Sequence, residues 1–428
     1  MLLNKMKAKF IFIIMLAGLF FSCQKEATLT FQNPKNVERT DEVVVLTNEE
    51  LQQKTGWEEG MFPLFKSAEN SLVPFQLDDM DSDGNWDEVA LLLNFAPAET
   101  KEIVVEFTDG SNYPPEFEKR TNLRLGIEQE DGSFKEVDYY EALPCDDGFE
   151  IIAQGESVNW ENDKIGFRNY FDCRNVKDLF GKLKPEMIID KIHTPEMGSY
   201  HELADWGMDV LHCGSSLGSG GLALLKEDSL YRLGSTDVYS YHKIVEGPLR
   251  SVFELRYEGW EVDGDMLGAV ERISIYPGKY WFESNVTVTG CPEGSQIVTG
   301  IVTSHLKREP FAFEAADFQC IGTHDVQSLN NDELGMAVAV PLEEAGKIGR
   351  TSDINFFKLG NETVPEKGFS NIISETYYIG QQCESGQPAK HYFFAVWGLD
   401  KNQWKTEEGF RKYITEEAEK LSEPIRTL

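Results

Sequence analysis

Positive charge is in short supply. Forty Lys and Arg stand against 73 Asp and Glu, a net charge of −33. A chain this acidic repels a phosphate backbone, which excludes a non-specific nucleic-acid binder. Long apolar runs are also missing. The longest, Phe10 to Phe21, has twelve residues, and a membrane-spanning helix needs about 20. The seven Cys are scattered without a CxxC, and no two His stand at HxH or HxxxH spacing, so neither a zinc site nor metal catalysis is expected. The Gly-rich run Cys213 to Gly221 lacks GxxxxGK[ST] spacing, so it is no nucleotide loop, and a serine nucleophile is not expected either.

What is present is material for a large core. Hydrophobic residues make up 41% and aromatics 12%, with 27 Phe, 15 Tyr and 8 Trp, which excludes wholesale disorder. Lys5, Lys7 and Lys9 precede the Phe10–Phe21 run, which ends at Ser22-Cys23. A basic start, an apolar centre and a small residue before a Cys read as a lipoprotein signal over 1–22. Cys23 then becomes the lipidated N-terminus of an exported protein anchored to the outer membrane, periplasmic or surface-facing. Six Cys remain. Pairing of some is open, and most are expected as buried free thiols.

Residues 23–40 read as a polar tether and 41–112 as a small β-sandwich. Residues 113–428 read as a large β-sandwich domain. The evidence is short, β-branched or aromatic runs between Gly, Pro and Asp turns, such as Lys101 to Phe107, Ser251 to Tyr257, Arg272 to Tyr276, Trp281 to Thr289 and His391 to Val396. Near the end, Phe410, Tyr413, Ile414, Ala418 and Leu421 share one helical face. The fold class is therefore all-β: a large antiparallel β-sandwich or supersandwich, galactose-mutarotase-like, with a small N-terminal sandwich and a C-terminal helix. A β-propeller is the runner-up, without a blade motif to support it.

Three stretches carry chemistry. Asp79, Asp81, Asp83 and Asp87, with Gly84 at the turn, place carboxylates at the alternate positions of a calcium loop. Position twelve is Ala90, so it is not a full EF-hand, and any calcium would be structural. In the run Gly166 to Asn175, Arg168, Tyr170 and Asp172 share one face of a strand. An Arg fork beside a Tyr hydroxyl, with Arg174 nearby, suits a sugar acid, and equally a structural Arg–Asp pair. Tyr200-His201 and Trp206 lie in a loop-like stretch before the Gly-rich run; His201 is a candidate proton acceptor and Trp206 a stacking platform. His242 and His305 are further candidates, whereas His212, beside apolar residues, reads as structural.

Four groups of residues carry a family resemblance. They are Pro74 to Asp79 with Asp87-Glu88; Arg168 to Lys182; Asp205 to Leu211 with Ser216-Leu217-Gly218; and Gly247-Pro248-Leu249-Arg250. Together they resemble the domain-of-unknown-function family numbered 4861. The resemblance implies an exported bacterial protein of polysaccharide-utilisation gene sets, often those handling uronic-acid glycans, and supplies no catalytic residues. The resemblance also implies dehydratase-type chemistry on uronic acid ends, so the expected activity is a lyase or dehydratase on a uronic-acid-containing oligosaccharide, with roles assigned from the residues' own chemistry. Arg168, Arg174 or Arg250 would neutralise the sugar carboxylate, His201 or His242 would be the base, and Tyr170 or Tyr200 the acid. Trp206 and His305 would contact the sugar. No organic cofactor is expected. A non-catalytic surface glycan binder and a sugar epimerase or mutarotase are the alternatives.

Overall fold

The computed structural model describes residues 26–428 except 58–59, 109, 111–112, 143–151, 173, 235 and 353–371. The signal segment, Cys23, Cys145 and Cys173 lie outside the described residues. No helix among them is long and apolar enough to cross a membrane.

The chain is all-β and its strand pairings are antiparallel in every named sheet. A nine-stranded sheet runs in the order Tyr139–Ala142, Val238–Glu246, Ser251–Val262, Asp265–Ile275, Trp281–Thr289, Pro388–Trp397, Glu333–Pro341, Phe318–Val326, Phe311–Ala315. Two five-stranded sheets lie against it. One is Gly207–Asp209, Lys177–Lys182, Ile165–Tyr170, Ser157–Asn162, Thr121–Arg124; the other is Ser229–Arg232, Ser219–Lys226, Gln296–Val302, Thr376–Gln382, Ala345–Arg350. Alternation along the strands sends Trp160, Phe167 and Leu179 from the first, Leu222, Leu224 and Ile297 from the second, and Phe253, Ile273, Phe282 and Phe393 from the nine-stranded sheet into one core. The predicted helix is Glu407–Ser422. Thr406 accepts from the Gly409 N–H at its start, and Phe410, Ile414 and Ala418 bury against Phe394, Val396 and Trp404.

A four-stranded and a three-stranded sheet form the small sandwich around Leu29, Phe31, Leu46, Phe75, Leu91 and Val105. The expected tether over 23–40 is corrected here. Glu26–Gln32 is a strand in register with Thr100–Thr108 along its whole length, and its other edge pairs with Arg426–Thr427 at the far end of the chain. Arg39 is fully buried. The cysteine expectation is corrected in part. Cys213 and Cys320 are buried thiols, but Cys291 and Cys383 form a disulfide.

Arg250, expected to read substrate, instead joins the two units. Its guanidinium pairs with Asp78 and, at 2.7 Å, with Glu88 in the small sandwich, while Gln76 Oε1 accepts from the Leu249 and Arg250 N–H groups. Gly247 leaves the room: a Cβ there would stand 2.3 Å from the Gln76 side chain. Removing one partner of a buried pair strands the other charge. Arg250→Leu is expected to lower unfolding free energy by about 3–5 kcal/mol in a denaturant titration, and adding Asp78→Leu recovers most of that loss.

Candidate functional site

The Ile165–Tyr170 strand has two faces. Phe167 and Asn169 point into the core, and Arg168 and Tyr170 point away from it. Asp178 lies directly opposite Arg168 on the neighbouring strand, and Asp209 lies opposite Phe180 on the next, so the polar side chains share the outer face of the five-stranded sheet. Residues 183–206 fold back over that face. Ile188, Ile189, Ile192, Tyr200 and Trp206 pack on Phe180 as a small second core. Glu161 fastens this cap, accepting from the Ile188 and Ile189 N–H groups at 2.5 and 2.9 Å while pairing with Lys182 at 2.5 Å. The chain re-enters the sheet at Gly207, where φ is +134° and a Cβ would lie 1.8 Å from the Gly181 carbonyl oxygen, so only glycine fits.

Arg168 is 2% exposed and saturated. Its Nη2 donates to Asp178 Oδ2 and Asp209 Oδ2, both at 2.6 Å, and to the Tyr170 hydroxyl at 2.7 Å. Its Nε donates to Asp178 at 3.0 Å, and its guanidinium lies over the Tyr170, Phe180 and Tyr200 rings at 4.6, 5.3 and 5.5 Å. Asp209 also holds a histidine: His201 Nδ1 is 3.3 Å from Asp209 Oδ2, and the imidazole is 55% exposed. The Asp209 N–H donates to the Tyr200 carbonyl at 2.8 Å, which sets Tyr200-His201 over the carboxylate. The hydrogen bond to Asp209 raises the His201 pKa, against burial and Arg168. Burial and then Asp209 raise that of Asp178, against Arg168. Burial, then Asp178, keep Tyr170 protonated far above its ordinary range. The arrangement is a water-reachable imidazole backed by a buried carboxylate, able to accept a proton at Nε2.

Four expected residues thus meet: Arg168, Tyr170, Tyr200 and His201. Arg174 joins them at the edge, its guanidinium 4.2 Å over the Tyr170 ring, with Nε and Nη2 spent on Asp172 and Glu156. Others are corrected. Arg168 is too enclosed to grip a substrate. Trp206 is buried beside Phe180 and offers no open face. His242 lies on the outer face of the nine-stranded sheet, 3.0 Å from Ser240 Oγ and edge-on to Tyr139; burial and then Arg256 lower its pKa. His305 stands apart from the dyad, beside His212. Sequence reasoning passed over Asp178 and Asp209 among 73 acids, and it read the exposed His212 as structural. Gly214 to Gly218 does have GxSxG spacing, but Ser216 is fully buried and its hydroxyl donates to the Cys213 carbonyl at 2.5 Å, so it is no nucleophile.

In the acidic loop, Asp79, Asp81 and Asp87 bring ligand oxygens within 4.8 Å of one another. Asp83 does not join them; its Oδ1 accepts from Asn85 N and Nδ2 at 2.7 and 3.0 Å. The Asp83 and Gly84 N–H groups, donating to Asp79, hold the loop in shape.

In Asp209→Asn, the His201 titration followed by histidine NMR is expected to move to lower pH, because the bond that favours the imidazolium loses its charge. An unmoved midpoint would remove Asp209 from the dyad.

A sequence model of the family described as "Domain of unknown function (DUF4861)" matches residues 31–427. The uncharacterized protein P7 of Formosa agariphila is 24% identical over 441 residues, covering 97% of each chain. Among solved structures, a protein in glycosyl hydrolase family 38 from Enterococcus faecalis superposes with TM-score 0.48 at 8% identity, over 94% of this chain and 47% of that one. An α-mannosidase from Enterococcus faecalis V583 gives 0.47 at 8% identity, over 94% and 46%. This chain spans about half the length of those two. With nearly its whole length matched by the family model, the chain belongs to the domain-of-unknown-function family DUF4861.

Proposed function

We propose that the protein is an exported carbohydrate-active enzyme, a carbon–oxygen lyase of the dehydratase type acting on uronic-acid-containing oligosaccharides and anchored to the outer membrane through Cys23. The observation that carries the reading is the His201–Asp209 dyad, a half-exposed base on a buried carboxylate. His201 Nε2 takes the proton from the carbon beside the sugar carboxylate. The bond from the neighbouring carbon to its oxygen breaks, and the leaving oxygen takes a proton from the Tyr170 hydroxyl, which is protonated at neutral pH and whose developing phenolate the Arg168 guanidinium at 2.7 Å would face. Arg174, at the edge of the site, faces the sugar carboxylate while keeping its pairs with Asp172 and Glu156, because it reaches solvent and the enclosed Arg168 and Arg250 do not. The Cys291–Cys383 disulfide supports an oxidising compartment. The buried Trp206 removes the platform on which a purely stacking glycan binder would rest.

Asp79, Asp81 and Asp87 would hold a structural calcium ion, a hard cation matched to an all-oxygen donor set. It would brace the small sandwich and take no part in the reaction.

His201→Ala is expected to lower turnover by about 100-fold or more with substrate binding retained, the range of a lost general base. A base must be neutral and the His201 pKa is raised, so kcat/KM rises with pH through a midpoint above that of an ordinary histidine. The assay is the ultraviolet absorbance of an unsaturated uronide across a panel of uronic-acid oligosaccharides. No product from any of them sinks the lyase reading.

Calcium is expected to raise the Tm of the native chain and not that of Asp81→Asn, measured by differential scanning calorimetry. An equal rise in both would move the ion elsewhere.

A further inference from the structure

The nine-stranded sheet turns one face to the core and the other outward, and the outward face carries a row of side chains drawn from six strands. Tyr139 lies opposite His242, His242 opposite Glu254, Glu254 opposite Arg272, Arg272 opposite Asn285 and Asn285 opposite Lys390. Directly paired residues share a face. Tyr241, Phe253, Ile273, Val286 and Ala389, each one residue along from a member of the row, point into the core. Five strand-to-strand steps of about 4.8 Å carry the row across about 24 Å. It crosses open surface: Tyr139 is 54% exposed, and Arg272 and Lys390 are 42% and 43% exposed.

The middle of the row is positive. Glu254 is buried, and each of its oxygens takes one guanidinium. Oε1 accepts from Arg272 Nε at 2.8 Å, with Nη2 2.6 Å away, and Oε2 accepts from Arg256 Nε and Nη2 at 2.8 and 2.6 Å. Burial pushes the Glu254 pKa up, and the bonds and charges of the two arginines more than reverse that. One negative charge thus answers two positive ones. The patch carries an excess of one positive on a chain whose net charge is −33. The neighbouring His242 is affected by it: burial and then Arg256 lower its pKa, so at neutral pH the ring is an uncharged hydrogen-bonding group.

A buried carboxylate holding two forks is a preorganised anion site. Nε and Nη2 of each arginine are bound to Glu254, and Nη1 of each makes no hydrogen bond among the described residues. Arginine forks match the planar carboxylate group. At its other end the row meets a cavity of about 300 Å³ between the sheet, the C-terminal helix and the small sandwich, with Tyr276, Glu283, Lys390 and Tyr392 in its wall. Lys390 Nζ and Asn285 Nδ2 reach Glu283 at 3.2 and 2.8 Å, which ties the row to that wall. A polar stripe that ends in an aromatic-lined hollow suits a chain of hydroxylated, acidic units with its end in the pocket.

We propose that this face binds a polyuronate chain along the row, one carboxylate held by Arg256 and Arg272 and the hydroxyls met by His242, Asn285 and Lys390. The ligand class rests on the uronic-acid reading above. The place is separate: the His201 dyad lies on the outer face of the first five-stranded sheet, across the shared core from this one.

The test uses the full chain carrying His201→Ala, so that no polymer is consumed, and measures binding of polygalacturonate by calorimetry at two salt concentrations. The expected result is binding that weakens as salt rises, that does not extend to neutral dextran, and that falls at least about tenfold when Arg256→Gln, Arg272→Gln and Glu254→Gln are added together. Changing all three strands no buried charge, and denaturant unfolding checks that the variant remains folded. Arg256→Lys with Arg272→Lys keeps both charges on Glu254 and gives up the forks, and a smaller loss is expected there. Binding unchanged in the triple variant, no binding by the parent, or equal binding of dextran would each overturn the proposal. The lyase reading fails on a different result, the absence of an unsaturated product from the native chain while polymer binding through Arg256 and Arg272 persists.

Discussion

The site depends on one buried guanidinium. Arg168 sits where water does not reach, and a cation there is tolerated only when paired and hydrogen-bonded. Two carboxylates answer it, Asp178 and Asp209. One positive and two negative charges leave an excess of one negative, enclosed in low dielectric. A proton relieves that excess, whether on Asp178 or on His201. Both groups have raised pKa values, Asp178 through burial and then Asp209, His201 through its hydrogen bond to Asp209. The imidazole is the member that reaches solvent, so the strain of the buried triad is delivered to the one group able to exchange protons with a ligand.

The fold makes the triad possible by giving one strand two environments. Phe167 anchors the Ile165–Tyr170 strand in the shared core, while Arg168 is covered by a cap that has its own apolar contacts. The cap is held by sheet residues that are themselves paired and buried: Glu161, paired with Lys182, accepts from the Ile188 and Ile189 N–H groups, and Asp209, paired with Arg168, donates its N–H to the Tyr200 carbonyl. Breaking either leaves an unpaired charge inside, which is why the cap and the sheet act as one unit.

Much of the scaffold was legible because alternation and β-branching are local signals. The runs from Ser251, Arg272, Trp281 and His391 are strands of the nine-stranded sheet, and the apolar stripe from Phe410 is the helix. The 23–40 segment misled because Glu26–Gln32 carries mixed polarity and one of its partners is Arg426–Thr427. In the site, Arg168 and Tyr170 share a face as their spacing dictates, whereas Asp172 has left the strand and pairs with Arg174. Tyr200 and His201 stood out by residue type. Their partner Asp209 was in view eight residues beyond His201, but nothing local marks one carboxylate among many. Arg250 and Trp206 look like ligand contacts in one dimension; tertiary partners decide otherwise, Asp78 for the first and the cap core for the second.

The most direct test is hydrogen–deuterium exchange by mass spectrometry on Arg168→Lys. Lysine keeps the charge, so neither aspartate is stranded, but it loses the fork that reaches Asp178, Asp209 and Tyr170 at once. The account predicts faster exchange across residues 183–209 with the nine-stranded sheet protected as in the native chain. Unchanged protection of that segment, or an equal loss across all sheets, would contradict it.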